Sequence, residues 1–276
     1  MSDKEIQNKL NSHVQLVREK FPNYTFYFCA LYGSQNYGLD TEDSDVDSKI
    51  AIIPKSRDII LGRDKLSTTL HLPDGSVCEV KDLREMMVQF YKGNINFTEM
   101  LYTPYYIKNN DFSNSYSFDS LRSNRDMIVN HNPLALIKMA AAMARTKYLT
   151  LTKVNNNNKE AIEKYGYDPK SLVTLLRLES FIYSYLVEYP EDYYTSLTPK
   201  NNEDLRYMRT NPLSSNAADI LAKKGIESVD EMLRVAIKKY SNEELQNKSI
   251  NNSKKVNKYL DDFTYGLIWE SMVCFG

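Results

Sequence analysis

The sequence predicts an α/β (α+β) protein, with a small mixed β-sheet near the N-terminus and a mostly helical C-terminal half. Three observations carry this expectation. An apolar, aromatic run at 24–32 reads as a buried strand, and residues 46–53 read as a second strand. From residue 83 onward the apolar residues fall mainly at helical spacing. The chain also has 21 Tyr but only 9 Gly, which suits a helix-rich protein with few flexible loops.

Taken in order, residues 3–20 place Ile6, Leu10, Val14 and Val17 on one face of an amphipathic first helix, which Phe21-Pro22-Asn23 stops. A strand is expected over 24–32. A Gly33-Ser34 turn and a short helix from Ser34 towards Tyr37 follow, with Gly38 closing it. A second strand is expected over 46–53, ended by Pro54; residues 57–61 fit no single pattern. Residues 65–71 and 76–81 flank Pro73-Asp74-Gly75, a strong turn signal, and read as a hairpin. Asp82 precedes Leu83 and has Glu85 three residues on, so a capping box opening a helix to Tyr91 is expected. Further helices are expected over 116–130, 134–151, 171–189, 228–240 and 253–275, with the polar tract 155–158 as a loop or linker.

The 276 residues suffice for one large or two modest domains, and 42% hydrophobic with 26% charged residues is an ordinary globular balance. A net charge of −1 provides no global basic field, so contact with nucleic acid would need a local patch. Cys29, Cys78 and Cys274 are far apart and form no CxxC pair, which suggests neither a zinc site nor a disulfide framework. No run is long enough to span a membrane and no signal peptide is evident, so a cytoplasmic protein without membrane partners is expected.

The chemistry concentrates in Leu31-Tyr32-Gly33-Ser34-Gln35-Asn36-Tyr37-Gly38-Leu39 and Asp43-Ser44-Asp45-Val46-Asp47. Asp45 and Asp47, two apart at the start of the second strand, point to one face. Two carboxylates on one face near a buried edge repel each other unless a cation lies between them or one is protonated. A hard divalent ion, Mg²⁺ or Mn²⁺, answers that problem. A Walker loop is excluded because no Gly-Lys-Ser/Thr follows Gly33. An EF-hand starting at Asp43 would need Gly at Ser48 and Glu at Pro54.

What remains is a strand, Gly-Ser, ten residues, then Asp-apolar-Asp. This resembles the signature of the polymerase-β-like nucleotidyltransferase superfamily. The resemblance implies that Gly33 and Ser34 hold nucleotide phosphates and that Asp45 and Asp47 bind the metals. It also implies a third carboxylate on a neighbouring strand, for which Glu79 stands in the right place. Glu79 would complete the metal site and help deprotonate the attacking hydroxyl; Asp82 is the rival, assigned here to the helix cap.

Two further blocks resemble bacterial and phage predicted nucleotidyltransferases of RNA-repair type. One is Gly93-Asn94-Ile95-Asn96 with Glu99, where Glu99 either orients a neighbour of the active site or is an exposed first-turn residue. The other is Tyr167, Asp168, Lys170, Arg177 and Leu178, with Leu172-Val173-Thr174 where that group more often has His. The resemblance implies nucleotide binding by Lys170 and Arg177: a cation at a helix start opposes the macrodipole unless a phosphate docks there. It covers roughly residues 24 to 210 and leaves the last quarter uninformed.

The organisation expected is therefore a catalytic core over 1–110 and a helical domain over 111–276 that completes the nucleotide site. The reaction implied is transfer of a nucleoside monophosphate from an NTP to a hydroxyl with release of pyrophosphate. An RNA or tRNA 3′ end is one acceptor; a small molecule or a protein is another, and a non-catalytic nucleotide-binding protein is the third reading. The oligomeric state is not legible.

Overall fold

A computed structural model describes residues 1–41, 44–63, 65–156 and 158–275. Asp43 of the acidic motif and Asn157 of the polar tract lie outside the described residues. The chain divides into two compact units. The first comprises Met1–Asn36, Glu42–His131 and Asn251–Gly276; the second comprises Tyr37–Thr41 and Asn132–Ile250. Compared with the expected division at 110, the first unit also takes residues 111–131 and 251–276.

The first unit is built on a five-stranded mixed sheet: β1 (Tyr24–Leu31), β2 (Ser48–Pro54), β3 (Ser67–His71), β4 (Val77–Asp82) and β5 (Tyr106–Lys108), in the order β3-β4-β2-β1-β5. All neighbouring pairs are antiparallel except β2 with β4. The expected α+β class with a helical C-terminal half is what forms. The second strand begins at Ser48 rather than Val46, so Asp45 and Asp47 lie just ahead of it, although the Tyr32 amide still donates to the Asp47 carbonyl at 3.2 Å. β5 was not expected; with only three residues it has too little sequence to show a period.

Helix α1 (Asp3–Lys20) starts with a capping box: Ser2 accepts the Glu5 amide and Glu5 accepts the Ser2 amide. Its apolar stripe of Ile6, Leu10, Val14 and Val17 is buried in one core with Phe26, Cys29, Leu31, Ile50, Ile52 and Val80. A short helix, α2 (Ser56–Ile60), fills the segment that fitted no pattern. Helix α3 (Leu83–Tyr91) follows β4, and α4 (Ile95–Thr98) runs into a 3₁₀ turn, Glu99–Leu101. The expected helix over 116–130 is broken into a 3₁₀ turn, α5 (Phe118–Ser123) and α6 (Arg125–Val129). Phe118 of α5 stacks on Phe28 of β1 with ring centres 3.9 Å apart.

The second unit is helical. Helices α7 (Pro133–Leu149), α8 (Lys159–Tyr165), α9 (Pro169–Tyr183), α10 (Tyr193–Leu197), α11 (Asn202–Thr210) and α12 (Ser215–Tyr240) supply it. A π-helical turn, Ser184–Glu188, ends α9 earlier than the expected Tyr189. Gly225 of α12 lies against Leu175 of α9, where an added Cβ would come within 2.7 Å of a Leu175 methyl. The last helix, α13 (Glu243–Phe275), starts ten residues before the expected Ser253. Its residues from Asn251 belong to the first unit, where Asn124 donates to the Tyr259 hydroxyl at 3.2 Å. Among the described residues no helix is long and apolar enough to cross a membrane.

Candidate active site

The β3–β4 hairpin fixes both motif acids. Asp47 Oδ1 accepts the Val77 amide at 2.9 Å, at the first residue of β4. Asp45 lies against the hairpin turn: a Cβ built on Gly75 would stand 3.1 Å from Asp45 Oδ1. Gly75 has φ +87°, a left-handed conformation that glycine adopts at no steric cost. Between the two acids Val46 is fully buried, while Asp45 is exposed and Asp47 half-buried. The alternation expected of an extended segment therefore holds, with both carboxylates turned away from the core.

Beneath these loops runs a buried polar chain. His13 of α1 is inaccessible to solvent. Its Nδ1 lies 2.7 Å from the Ser48 hydroxyl and its Nε2 lies 3.1 Å from the Ser76 hydroxyl. Ser76 in turn donates to Asp74, which pairs with Lys9 at 2.9 Å. One histidine thus ties α1 to the residue after Asp47 and to the residue after Gly75. Burial lowers the His13 pKa from its ordinary value, with Asp74 pulling the other way. Burial pushes Cys78 up to about 11 and Cys29 well up, so neither is a reactive thiolate at neutral pH.

Gly33 and Ser34 behave locally as expected. Gly33 takes φ +98°, which no side chain contact forces but the turn requires, and Ser34 opens a 3₁₀ turn, Ser34–Tyr37. The Gly33 amide donates to Glu99 Oε1 at 3.0 Å. Glu99 is 1% exposed, so it is not the exposed first-turn residue of the bland alternative. Asn94 caps α4 by accepting the Asn96 amide at 3.2 Å, and the short helix delivers Glu99 to the motif turn.

Glu79 projects from β4, the strand beside β2, but its oxygens are engaged. The register places it directly opposite Lys49 on β2, and the two form an ion pair. Its Oε1 is 3.0 Å from Lys81 Nζ. Burial raises the Glu79 pKa, but Lys49 and Lys81 outweigh it and hold the carboxyl below its ordinary value. Lys49 is 3% exposed, with its ammonium 3.9 Å from the Tyr32 ring centre and 4.4 Å from that of Phe97. Burial pushes the Tyr32 hydroxyl up, and the charges of Asp47, Glu79 and Glu99 push it further. Four groups flagged by the motifs thus share one neighbourhood with a lysine that the motifs did not flag. The signal for Lys49 was its position, a cation directly before the apolar run 50–53 within an expected strand.

Asp82, the rival third acid, is fully buried and caps α3 by accepting the Arg84 amide at 2.9 Å. It also receives two bonds from the Arg84 guanidinium, at 2.9 and 2.7 Å. The capping box with Glu85 does not form, because Glu85 reaches Lys65 instead at 2.6 Å.

Lys170 and Arg177 belong to the second unit, and the motif acids to the first. Lys170 is exposed at the start of α9. The helix-start amides expected to be open to a phosphate are already served: Asp168 accepts the Lys170 amide at 3.0 Å, and its carbonyl accepts the Ser171 amide at 3.1 Å. Arg177 is 5% exposed, its guanidinium 4.0 Å from the Tyr37 ring centre. Arg209 of α11 donates to the Leu39 carbonyl at 2.9 Å. Both arginines thus hold the second half of the Gly-Ser-x-x-Tyr-Gly motif, which belongs to the same unit.

The described acids fit a single divalent ion better than a two-ion set. Asp45 and Asp47 offer hard oxygen donors oriented by the hairpin. Among the described residues no group of three His, Cys, Asp or Glu side chains is gathered as a ligand set, and Glu79 faces lysines. Neither the protein-family models nor the curated proteins include a match to this chain.

Proposed function

We propose that the protein is a Mg²⁺- or Mn²⁺-dependent nucleotidyltransferase that moves a nucleoside monophosphate from an NTP to a hydroxyl acceptor. The observation that carries this reading is the joint fixing of Asp45 and Asp47 by one hairpin, through Gly75 and the Val77 amide, beside a glycine turn tied to buried Glu99. The Asp47 carboxylate and the Gly33 amide are held by partners distant in the chain, where an incidental loop would leave both to solvent.

In this reading Asp45 and Asp47 hold the divalent ion, which supplies charge neutralisation to the triphosphate when bound. The amide of Gly33 is already bonded to Glu99, so the turn is rigid before substrate arrives. The acceptor oxygen forms a bond to the α-phosphorus as the bond to the β-phosphate oxygen breaks. Pyrophosphate leaves with that electron pair, and the hydroxyl proton passes to solvent. Such transfer depends mainly on positioning and charge, so no unusual side chain is required. Lys170 enters this reading from the sequence motif alone, and Arg177 as an anchor of Tyr37.

The acceptor proposed is an RNA or tRNA 3′ end, from the resemblance to RNA-repair-type proteins. The test is incubation with each α-labelled NTP and Mg²⁺ in the presence of total RNA, tRNA or protein. Label in RNA supports the full proposal. Label in protein keeps the reaction and replaces the acceptor. Absence of transfer from all four nucleotides to any acceptor overturns it.

A further inference from the structure

The lysine opposite the third acid departs from the three-carboxylate pattern, and the sheet register is the cause. Lys49 is the second residue of β2, two after Asp47, and on β4 the period of two puts Glu79 and Lys81 on one face. The parallel pairing of β2 with β4 sets Lys49 across from Glu79. Lys49 is enclosed by the Tyr32 ring, the Phe97 ring and the Glu79 carboxylate, with 4% of its side chain exposed. Such a buried ammonium is tolerated because an anion and two ring faces replace its water. Drawing Glu79 away to a metal would strand that charge, the costly way to break a buried pair.

We propose that Lys49 is the resident cation of this acidic site and Glu79 its counter-ion, so that the site takes one divalent ion, on Asp45 and Asp47, instead of two. The inference rests on the nucleotidyltransferase reading and specifies its metal content. Glu79 is then a positioning residue for Lys49. The ammonium, in the electrostatic range of Asp47 as well as of Glu79, occupies the role of a second positive charge. Lys81 closes the remaining oxygen of Glu79 and bonds the Ser67 hydroxyl at 2.8 Å, so the carboxylate is held from both sides.

The test is a count of bound Mn²⁺ by electron paramagnetic resonance, with a non-hydrolysable NTP analogue at saturation and the analogue alone as the reference. The expected count is one ion per chain, unchanged in Glu79→Gln and lost in Asp45→Asn. The double variant Lys49→Met/Lys81→Met, which removes both lysines that hold Glu79, is expected to raise the count to two. Two ions in the wild type, one of them lost in Glu79→Gln, would overturn the proposal while leaving the nucleotidyltransferase reading intact. A count of one in the folded double variant would also overturn it, since the lysines would not be what excludes a second ion. No bound ion in the wild type would overturn the proposal and the metal-dependent reading together. The wild-type count decides between one and two even if a variant fails to fold.

Discussion

The carboxylate of Glu99 accepts the backbone amide of Gly33 at 3.0 Å, and the two residues are 66 apart in the chain. The bond joins the turn after β1 to the turn after α4, and it adds to the loop's own bonds, in which Asn36 donates its amide to the Gly33 carbonyl at 3.0 Å and its Nδ2 to the Leu31 carbonyl at 3.2 Å. Glu99→Ala would leave the Gly33 amide without this partner at a buried site, at a cost of about 1–3 kcal/mol in urea denaturation. Glu99→Gln keeps an acceptor oxygen and is expected to recover most of that loss. Equal stability of Glu99→Ala and wild type would show that the bond contributes nothing.

Gly75 and Gly62 separate strain from site geometry. Both have positive φ, +87° and +61°, so alanine at either costs roughly 1–2 kcal/mol. Only at Gly75 would the new Cβ press on Asp45; at Gly62 nothing lies within 4 Å. Gly75→Ala is therefore expected to lower nucleotidyl transfer at least tenfold and Gly62→Ala to leave it unchanged, at matched stability loss. Equal activities in the two variants would remove the hairpin from the account.

Asp82 and Glu79 are expected to fail in different ways. Asp82→Asn weakens the α3 cap and the buried Arg84 pair, costing about 2 kcal/mol of stability, with turnover per folded molecule retained. Glu79→Gln disturbs Lys49 and is expected to cut turnover while the protein stays folded. Asp82→Asn folded and inactive would reverse the assignment.

His13 makes a pH prediction. Its folded pKa lies below the ordinary value of 6.5, so between the two values the unfolded chain binds more protons than the folded one. Stability is then fully present above pH 6.5 and falls as pH drops through that value towards the lowered one. The charged neighbours facing His13 are Asp74, which opposes the shift, and Lys9, which reinforces it. His131, buried and also lowered, adds a loss of the same sign. Urea denaturation at pH 7.0 and 5.5 is expected to show a smaller pH-dependent loss in His13→Gln than in wild type. An identical loss in both would mean that His13 is not kept neutral by burial.

Much of this was legible in the sequence, for identifiable reasons. The stripe Ile6, Leu10, Val14, Val17 and the Pro73-Asp74-Gly75 turn are local signals, and both elements form as expected. The cap role of Asp82 was local as well. Lys49 was passed over because its role depends on the register of β2 against β4, a non-local fact. Asp45 and Asp47 were expected inside the strand, but β2 starts at Ser48, where pairing with Cys78 of β4 begins. Helix α12 is expected only from Ser228 but begins at Ser215, with Gly225 inside it packed against Leu175. The role of His13 is not legible in the sequence, because Ser48 and Ser76 reach it only in the fold.

The most direct test of the central claim is pyrophosphate release coupled to label transfer from α-labelled NTP, compared between wild type, Asp45→Asn and Asp47→Asn. The account predicts stoichiometric release and transfer in the wild type, strictly dependent on Mg²⁺ or Mn²⁺, and a fall of at least a hundredfold in each variant with the fold retained. Transfer at the wild-type rate in both folded variants would contradict it.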